Sequence, residues 1–335
     1  MTRRSDTPNP RMDAASWRYT LKSTMQRFSA NQATDMAATL TYYTVLAMFP
    51  ALLSLVSILK LSSVGDTLMP ALTQMIAQAV PDEATAGVIV DIIEGFFSSS
   101  GAGLGLAIGV LTAAWSASGY IAALSRAMNR IYQVEEGRNS LALKVQQFGL
   151  TIVVLVSMAV LVAGLVLSGG VASWLGDLVG FGEGALVVWG IAKWPVMLAL
   201  VMMLIAVLYH FSPNVKLPRF RPVSYGSIVA VLVAIIAVAG FSFYAVNFSS
   251  YDATYGALAG LIIGLWLLWL TNVSIVLGAH LDMEVLRTKQ LLAGAPSERE
   301  ADLEPRQSAG ILKQTQKDDR LAAQGHELRG ERSED

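Results

Sequence analysis

Arg126 and Arg130 stand four residues apart in the stretch WSASGYIAALSRAMNRIYQVEEGRN (Trp115–Asn139), with Asn129 beside them and Glu135 and Glu136 one or two turns on. Positions four apart share a helix face, so the two guanidiniums form one cationic edge with an amide and carboxylates in reach. Two readings stay open. The cluster is a stop signal with surface ion pairs, or it sits at the cytoplasmic mouth of a bundle, where it binds an anionic headgroup or gates. Just before it, Ser116, Ala117, Ser118 and Gly119 are small residues that let helices approach closely.

A second polar stretch is TLTYYTVLAMFP (Thr39–Pro50), which opens an oily run. Hydroxyls inside a membrane helix need partners, so Tyr42, Tyr43 and the threonines are expected to face protein or water. Pro50 lacks an N–H and removes the bond to the Leu46 carbonyl, which predicts a kink. Its late counterpart is ATYGALAGLIIG (Ala253–Gly264), where Tyr255 precedes Gly256, Gly260 and Gly264 at every fourth position. Such a stripe offers a groove for close packing against the first span.

The remaining reactive residues do not converge. His210, His280 and His326 are far apart, there is no cysteine, and no HExxH, Walker A or Rossmann fingerprint occurs. GAGLG (Gly101–Gly105) enters a membrane helix with no preceding strand. Lys193 lies between Trp189 and Trp194 with Pro195 next, a pattern of an interfacial anchor and a first-turn proline. His280 and Asp282 fall at the inner end of the last span, where they are read as solvated or paired with basic residues. No catalytic group, cofactor, metal or nucleic-acid partner is implied. Membrane lipids are the expected partners.

The elements that hold these residues are membrane helices. Of 335 residues 54% are hydrophobic and 15% charged, against roughly 25% charged in soluble domains. Six segments are long and apolar enough to cross a bilayer, at about 36–59, 103–122, 147–168, 190–209, 224–246 and 255–279. Lys and Arg concentrate before the first span, after the second and fourth, and after the last, which places both termini in the cytoplasm. The chain divides into 1–35, a segment whose residues 14–30 form an amphipathic surface helix; 36–285, an all-α six-span membrane domain; and 286–335, a charged tail read as disordered. The first external loop carries apolar stripes at 68–79 and 89–97 separated by Pro81, an amphipathic helical hairpin that either packs over the bundle or moves as a lid.

Three stretches together, AATLTYYTVLAMFPALLSL (Ala37–Leu55), ASGYIAALSRAMNRIYQVEEGR (Ala117–Arg138) and TYGALAGLIIGLWLLWLTNVSIVLGAHLD (Thr254–Asp282), resemble the YihY family of inner-membrane proteins, also labelled virulence factor BrkB. The resemblance covers about residues 17–288. It implies six membrane helices in a bacterial inner membrane, and a role in serum resistance or in exporting envelope lipids. An older ribonuclease BN label is thought a misassignment. The family motif commonly has an acidic residue where this chain has His280. The expected function is a transporter or translocase of an amphipathic envelope molecule, an anionic lipid or envelope precursor. The alternative is a non-transporting scaffold that organises envelope partners. Pro50 and Pro195, in spans one and four, hint at inverted repeats.

Overall fold

The computed structural model describes residues 10–61, 102–166, 183–217, 220–248 and 257–331, and within the first external loop only 73, 86–88, 90 and 91. Among the described residues the chain is helical, with a single isolated bridge between Val215 and Pro305. Eight long helices follow one another: α1 (Ala14–Ala30), α2 (Ala33–Leu61), α3 (Ala102–Ile131), α4 (Ser140–Val166), α5 (Glu183–Phe211), α6 (Tyr225–Phe248), α7 (Ala257–Leu292) and α8 (Ala309–Glu331). The predicted external hairpin, Tyr255 and Gly256 lie outside the described residues.

Local chemistry sets the helix ends. Asp13 caps α1 by accepting from the Ser16 backbone N–H at 2.8 Å. Gln32 and Gln133, both at positive φ (53° and 55°), break the chain after α1 and after α3. Gly294 (φ 82°) follows α7, and its N–H donates to the Leu291 carbonyl, the left-handed close that glycine permits.

Among the described residues four stretches are long and apolar enough to cross a membrane: Ser140–Leu161, Val188–Phe211, Tyr225–Tyr244 and Gly260–Leu292. Helices α2 and α3, at 29 and 30 residues, are of similar length. Helices α2 to α7 pack in chain order, each on the next, and α7 closes the ring on α2. Burial within this ring is graded along its axis. The deepest buried residues are Thr41, Ile121, Thr151, Ile205, Val231 and Asn272, one on each helix. Among the residues whose burial is described, every buried residue of the ring lies between these and one end, the end that carries α1, the 132–139 and 212–224 connections and residues 293–308. We call it the polar end. On the far side of that level none of residues 42–48, 115–120, 152–161, 188–204, 232–244 and 260–271 is buried.

Two expectations are corrected here. Pro195 is not in a first turn, because α5 begins at Glu183 and carries it in its interior. Lys193 lies near one end of the apolar stretch Val188–Phe211, with its ammonium 5.2 Å from the Trp194 ring centroid. The tail from 286 is not a disordered segment over its described length. Helix α7 runs on to Leu292, residues 295–308 hydrogen-bond across the polar end, and 309–331 form α8. Hydropathy alone stops α7 too early because its charged residues are satisfied by partners from α1.

Helix α1 docks on α7 by its hydroxyl-bearing face. Thr20 and Thr24 are buried, Thr20 Oγ1 lies 2.8 Å from Thr288 Oγ1, and Trp17 meets Tyr225 edge-on. Leu21 and Met25, apolar residues of this helix, are exposed.

Candidate functional site

The described polar groups of the ring gather in three networks at or below the buried level. The deepest joins three helices. The Asn272 side chain accepts from Tyr120 Oη at 3.1 Å and donates to Thr41 Oγ1 at 3.2 Å and to the Leu268 carbonyl at 3.0 Å. It pins α7 to α2 and α3 at the deepest buried level, with each amide group partnered as a buried amide requires.

The second network holds α1. Glu284, 1% exposed, receives Arg287 Nη2 at 2.6 Å and an ion pair from Arg27 Nε at 3.1 Å. Arg287 also donates to Ser23 Oγ and to the Glu298 carbonyl, and Arg27 donates to the Arg299 carbonyl. One turn earlier His280 is buried, bonded to the Val276 carbonyl (2.8 Å) and near Asn31 Nδ2 (3.3 Å), with Phe28 edge-on.

The third network knots the loops. Glu136 accepts from Arg138 Nη2 (2.6 Å) and Nε (2.8 Å) and from Asn129 Nδ2 (2.9 Å). Arg138 reaches on to the Ser212 carbonyl and to Gln146, and Asn129 Oδ1 accepts from the Asn214 N–H at 2.7 Å. Partial burial raises the Glu136 carboxyl, but the hydrogen bonds and charge of Arg138, with Asn129, outweigh it and hold it below the usual carboxylate range.

The sequence-predicted residues divide accordingly. Asn129 and Glu136 meet, but not in a cluster with both arginines. Arg126 and Arg130 are exposed on the outer side of α3, where Arg130 Nη2 lies 3.3 Å from Gln32 Oε1. Glu136 takes Arg138, two residues on, as its cation. His280 is not solvated but enclosed as described, whereas Asp282 is half-buried and accepts the Gly226 N–H at 2.7 Å, capping α6 from α7.

In the opening stretch the hydroxyls need no inward partner, because Thr39, Thr41 and Thr44 each donate to the carbonyl four residues back. Thr39 and Tyr42 are exposed, and Tyr43 turns inward over Gly119, where an added Cβ would stand 2.8 Å from its ring. Helix α2 continues through Pro50 to Leu61.

The glycine groove at 256–264 is also corrected. A Cβ at Gly260 or Gly264 would meet nothing within 4 Å. The close helix contact lies elsewhere, between Gly226 of α6 and Gly278 of α7. A Cβ on either would collide with the other's carbonyl oxygen, and one on Gly226 would stand 2.6 Å from the Asp282 carboxyl carbon. No second glycine stands four residues from either, and the spacing is carried by Ala230 after Gly226 and Ser274 before Gly278.

Comparison with known proteins bears on this geometry. The family model described as virulence factor BrkB matches residues 24–302. A ribonuclease-like protein of Bacillus subtilis (strain 168), YfkH, is 30% identical over 274 residues, covering 81% of this chain and 96% of that protein. UPF0761 membrane proteins of Alkalilimnicola ehrlichii (31% identity, 76% of this chain, 55% of the relative) and Aeromonas salmonicida (30%, 76% and 84%) also match. This chain thus spans little more than half of the Alkalilimnicola protein. No solved structure matches. Among the described residues no three His, Asp or Glu side chains come together as a metal site would need.

Proposed function

The chain is an integral membrane protein of the virulence factor BrkB family, and on that premise we propose that it is a translocase for an amphipathic, anionic envelope lipid in a bacterial inner membrane. In this reading all six ring helices span the bilayer. The polar end faces the cytoplasm, since Arg18, Lys22, Arg126, Arg130, Arg138, Lys144, Arg221 and Lys289 all belong to it.

One observation carries the reading: among the residues whose burial is described, the buried ones of all six helices gather at the polar end, and beyond a common level the side chains are at most half-buried. A bundle sealed at one end and loosely packed at the other is the arrangement alternating access requires in one of its states. Arg126 and Arg130, exposed on one face of α3 at the level of the headgroups, supply the cationic contact for an anionic lipid. No enzymatic step is part of the proposal.

A scaffold role has one observation in its favour. Tyr43 and the threonines of α2 are consumed by packing and by their own helix, leaving Tyr42 as the one exposed tyrosine of the pair. Reconstitution into liposomes separates the two. Movement of a fluorescent anionic lipid between leaflets above empty vesicles, reduced in Arg126→Ala/Arg130→Ala, supports translocation. Movement equal to empty vesicles leaves the scaffold.

A further inference from the structure

Residues 297–310 cross the polar end as a strap. At its start the carbonyls of Glu298 and Arg299 accept from Arg287 and Arg27, and Asp302 exchanges two hydrogen bonds with the Gln290 side chain, at 2.9 and 3.1 Å. At its far end Lys216 N–H donates to the Glu304 carbonyl and Arg306 N–H to the Asn214 carbonyl, both at 3.0 Å. The Asn214 side chain then brackets Gln307, donating to its carbonyl at 2.8 Å and accepting its N–H at 3.1 Å. Gly310 N–H donates to the Gly137 carbonyl at 2.8 Å. The first anchors belong to α1 and α7, the last to the connections α3–α4 and α5–α6. The strap therefore runs across the polar end from α1 and α7 to the two connections.

The far end is seated closely but held by groups that can let go. A Cβ on Gly137 would overlap the Gln307 carbonyl and stand 3.0 Å from Asn214 Nδ2, so the slot admits the strap only because residue 137 is glycine. The strap's ion pair, Lys216 with Glu304 at 3.3 Å, is well exposed on both sides and contributes little. The Arg306 guanidinium donates to the carbonyls of His210 and Val215, with no carboxylate among its described partners. Burial and the nearby Arg138 charge both disfavour its own charge there. The family match ends at residue 302, so residues 303–310 lie beyond the matched stretch, while their seat on Asn214 and Gly137 lies within it.

We propose that residues 303–310 form an intramolecular strap that holds the polar end closed and must leave its seat on Asn214 and Gly137 for that end to open. The purpose of such opening rests on the translocase reading, but the test reads conformation and needs no transport.

The chain has no cysteine, so Ser274→Cys makes a single reporter. Ser274 is fully buried in α7 and its hydroxyl bonds only the Leu270 carbonyl. A membrane-impermeant maleimide is applied from the polar side to the reporter chain, to a version ending at Asp302, and to a full-length version with Gly137→Ala. Labelling is expected to rise roughly tenfold or more in both altered chains, the ratio that about 1.4 kcal/mol of bias gives. In the Gly137→Ala chain, closing a disulfide between Asn214→Cys and Gln307→Cys should restore slow labelling at 274, read peptide by peptide. Labelling unchanged in both altered chains overturns the strap. So does a rise that persists with the disulfide closed, since general loosening would then be its cause. Strap-dependent labelling in a protein that moves no lipid would leave the strap standing and sink the translocase reading alone.

Discussion

Replacing Gly226 by alanine should destabilise the protein far more than the same change at Gly260. At Gly226 the new methyl meets the Gly278 backbone carbonyl and the Asp282 carboxyl, the latter 2.6 Å away, and a carbonyl within a helix cannot swing aside. Helices α6 and α7 must separate by about an ångström to reach ordinary contact, an overpacking cost of about 1–3 kcal/mol. The separation also lengthens the 2.7 Å bond from Gly226 N–H to Asp282, a charge-assisted hydrogen bond of about 1.5–3 kcal/mol. Alanine returns about 0.5–1 kcal/mol of helix preference, leaving a net loss of about 3 kcal/mol. At roughly 2 °C per kcal/mol for a large domain, the melting temperature in detergent falls by about 6 °C. Gly260→Ala meets open space and should be neutral or stabilising by up to about 1 kcal/mol. Thermal unfolding followed by circular dichroism compares the two in one series. Equal melting temperatures for Gly226→Ala and Gly260→Ala would refute the helix contact on which the α6–α7 pair rests.

Other outcomes follow from the networks. Glu284→Gln leaves Arg287 buried beside a neutral amide and should cost about 3–5 kcal/mol, read in the same melts. Asn272→Ala strips Tyr120 and Thr41 of their shared partner at a cost of about 1–2 kcal/mol, with Tyr120→Phe/Asn272→Ala less than additive in a double-mutant cycle. Because the folded state lowers the Glu136 pKa, its contribution is fully present above the ordinary carboxylate range and is lost as pH falls through the folded value. Melting temperature against pH should therefore drop on acidification in the parent, and less steeply in Glu136→Gln. Arg126→Ala and Arg130→Ala, on an exposed face, should each shift stability by no more than about 0.5 kcal/mol.

Much of the fold was legible because it follows from hydropathy. The four apolar stretches overlap the expected spans closely, and the small-residue run before Arg126 does hold a close contact, Gly119 under Tyr43. Boundaries failed where charge was taken as a stop. Helix α3 passes Arg126 and Arg130 because its outer face tolerates them, and α7 runs to Leu292 because Glu284 and Arg287 are paired with α1. The site was less legible. Glu136 could be matched to any nearby arginine by sign, and only the turn after Gln133 decides for Arg138. Asn214, Gln307 and Gly137 come from three distant segments, none of them carrying a motif. The threonines of α2 looked like groups in need of inward partners, and back-bonding to their own helix removed that need.

A scan of single cysteines along α2 from Ala37 to Met48 and along α7 from Gly260 to Ala279 bears most directly on the central claim, that the ring is sealed at its polar end and open beyond the level of Thr41 and Asn272. With a membrane-impermeant maleimide applied from the side opposite the polar end, positions on one face of each helix should react down to that level, and those below it should stay protected. Protection at every position above Thr41 and Asn272, from both sides of the membrane, would contradict an open half and with it the path for a translocated lipid.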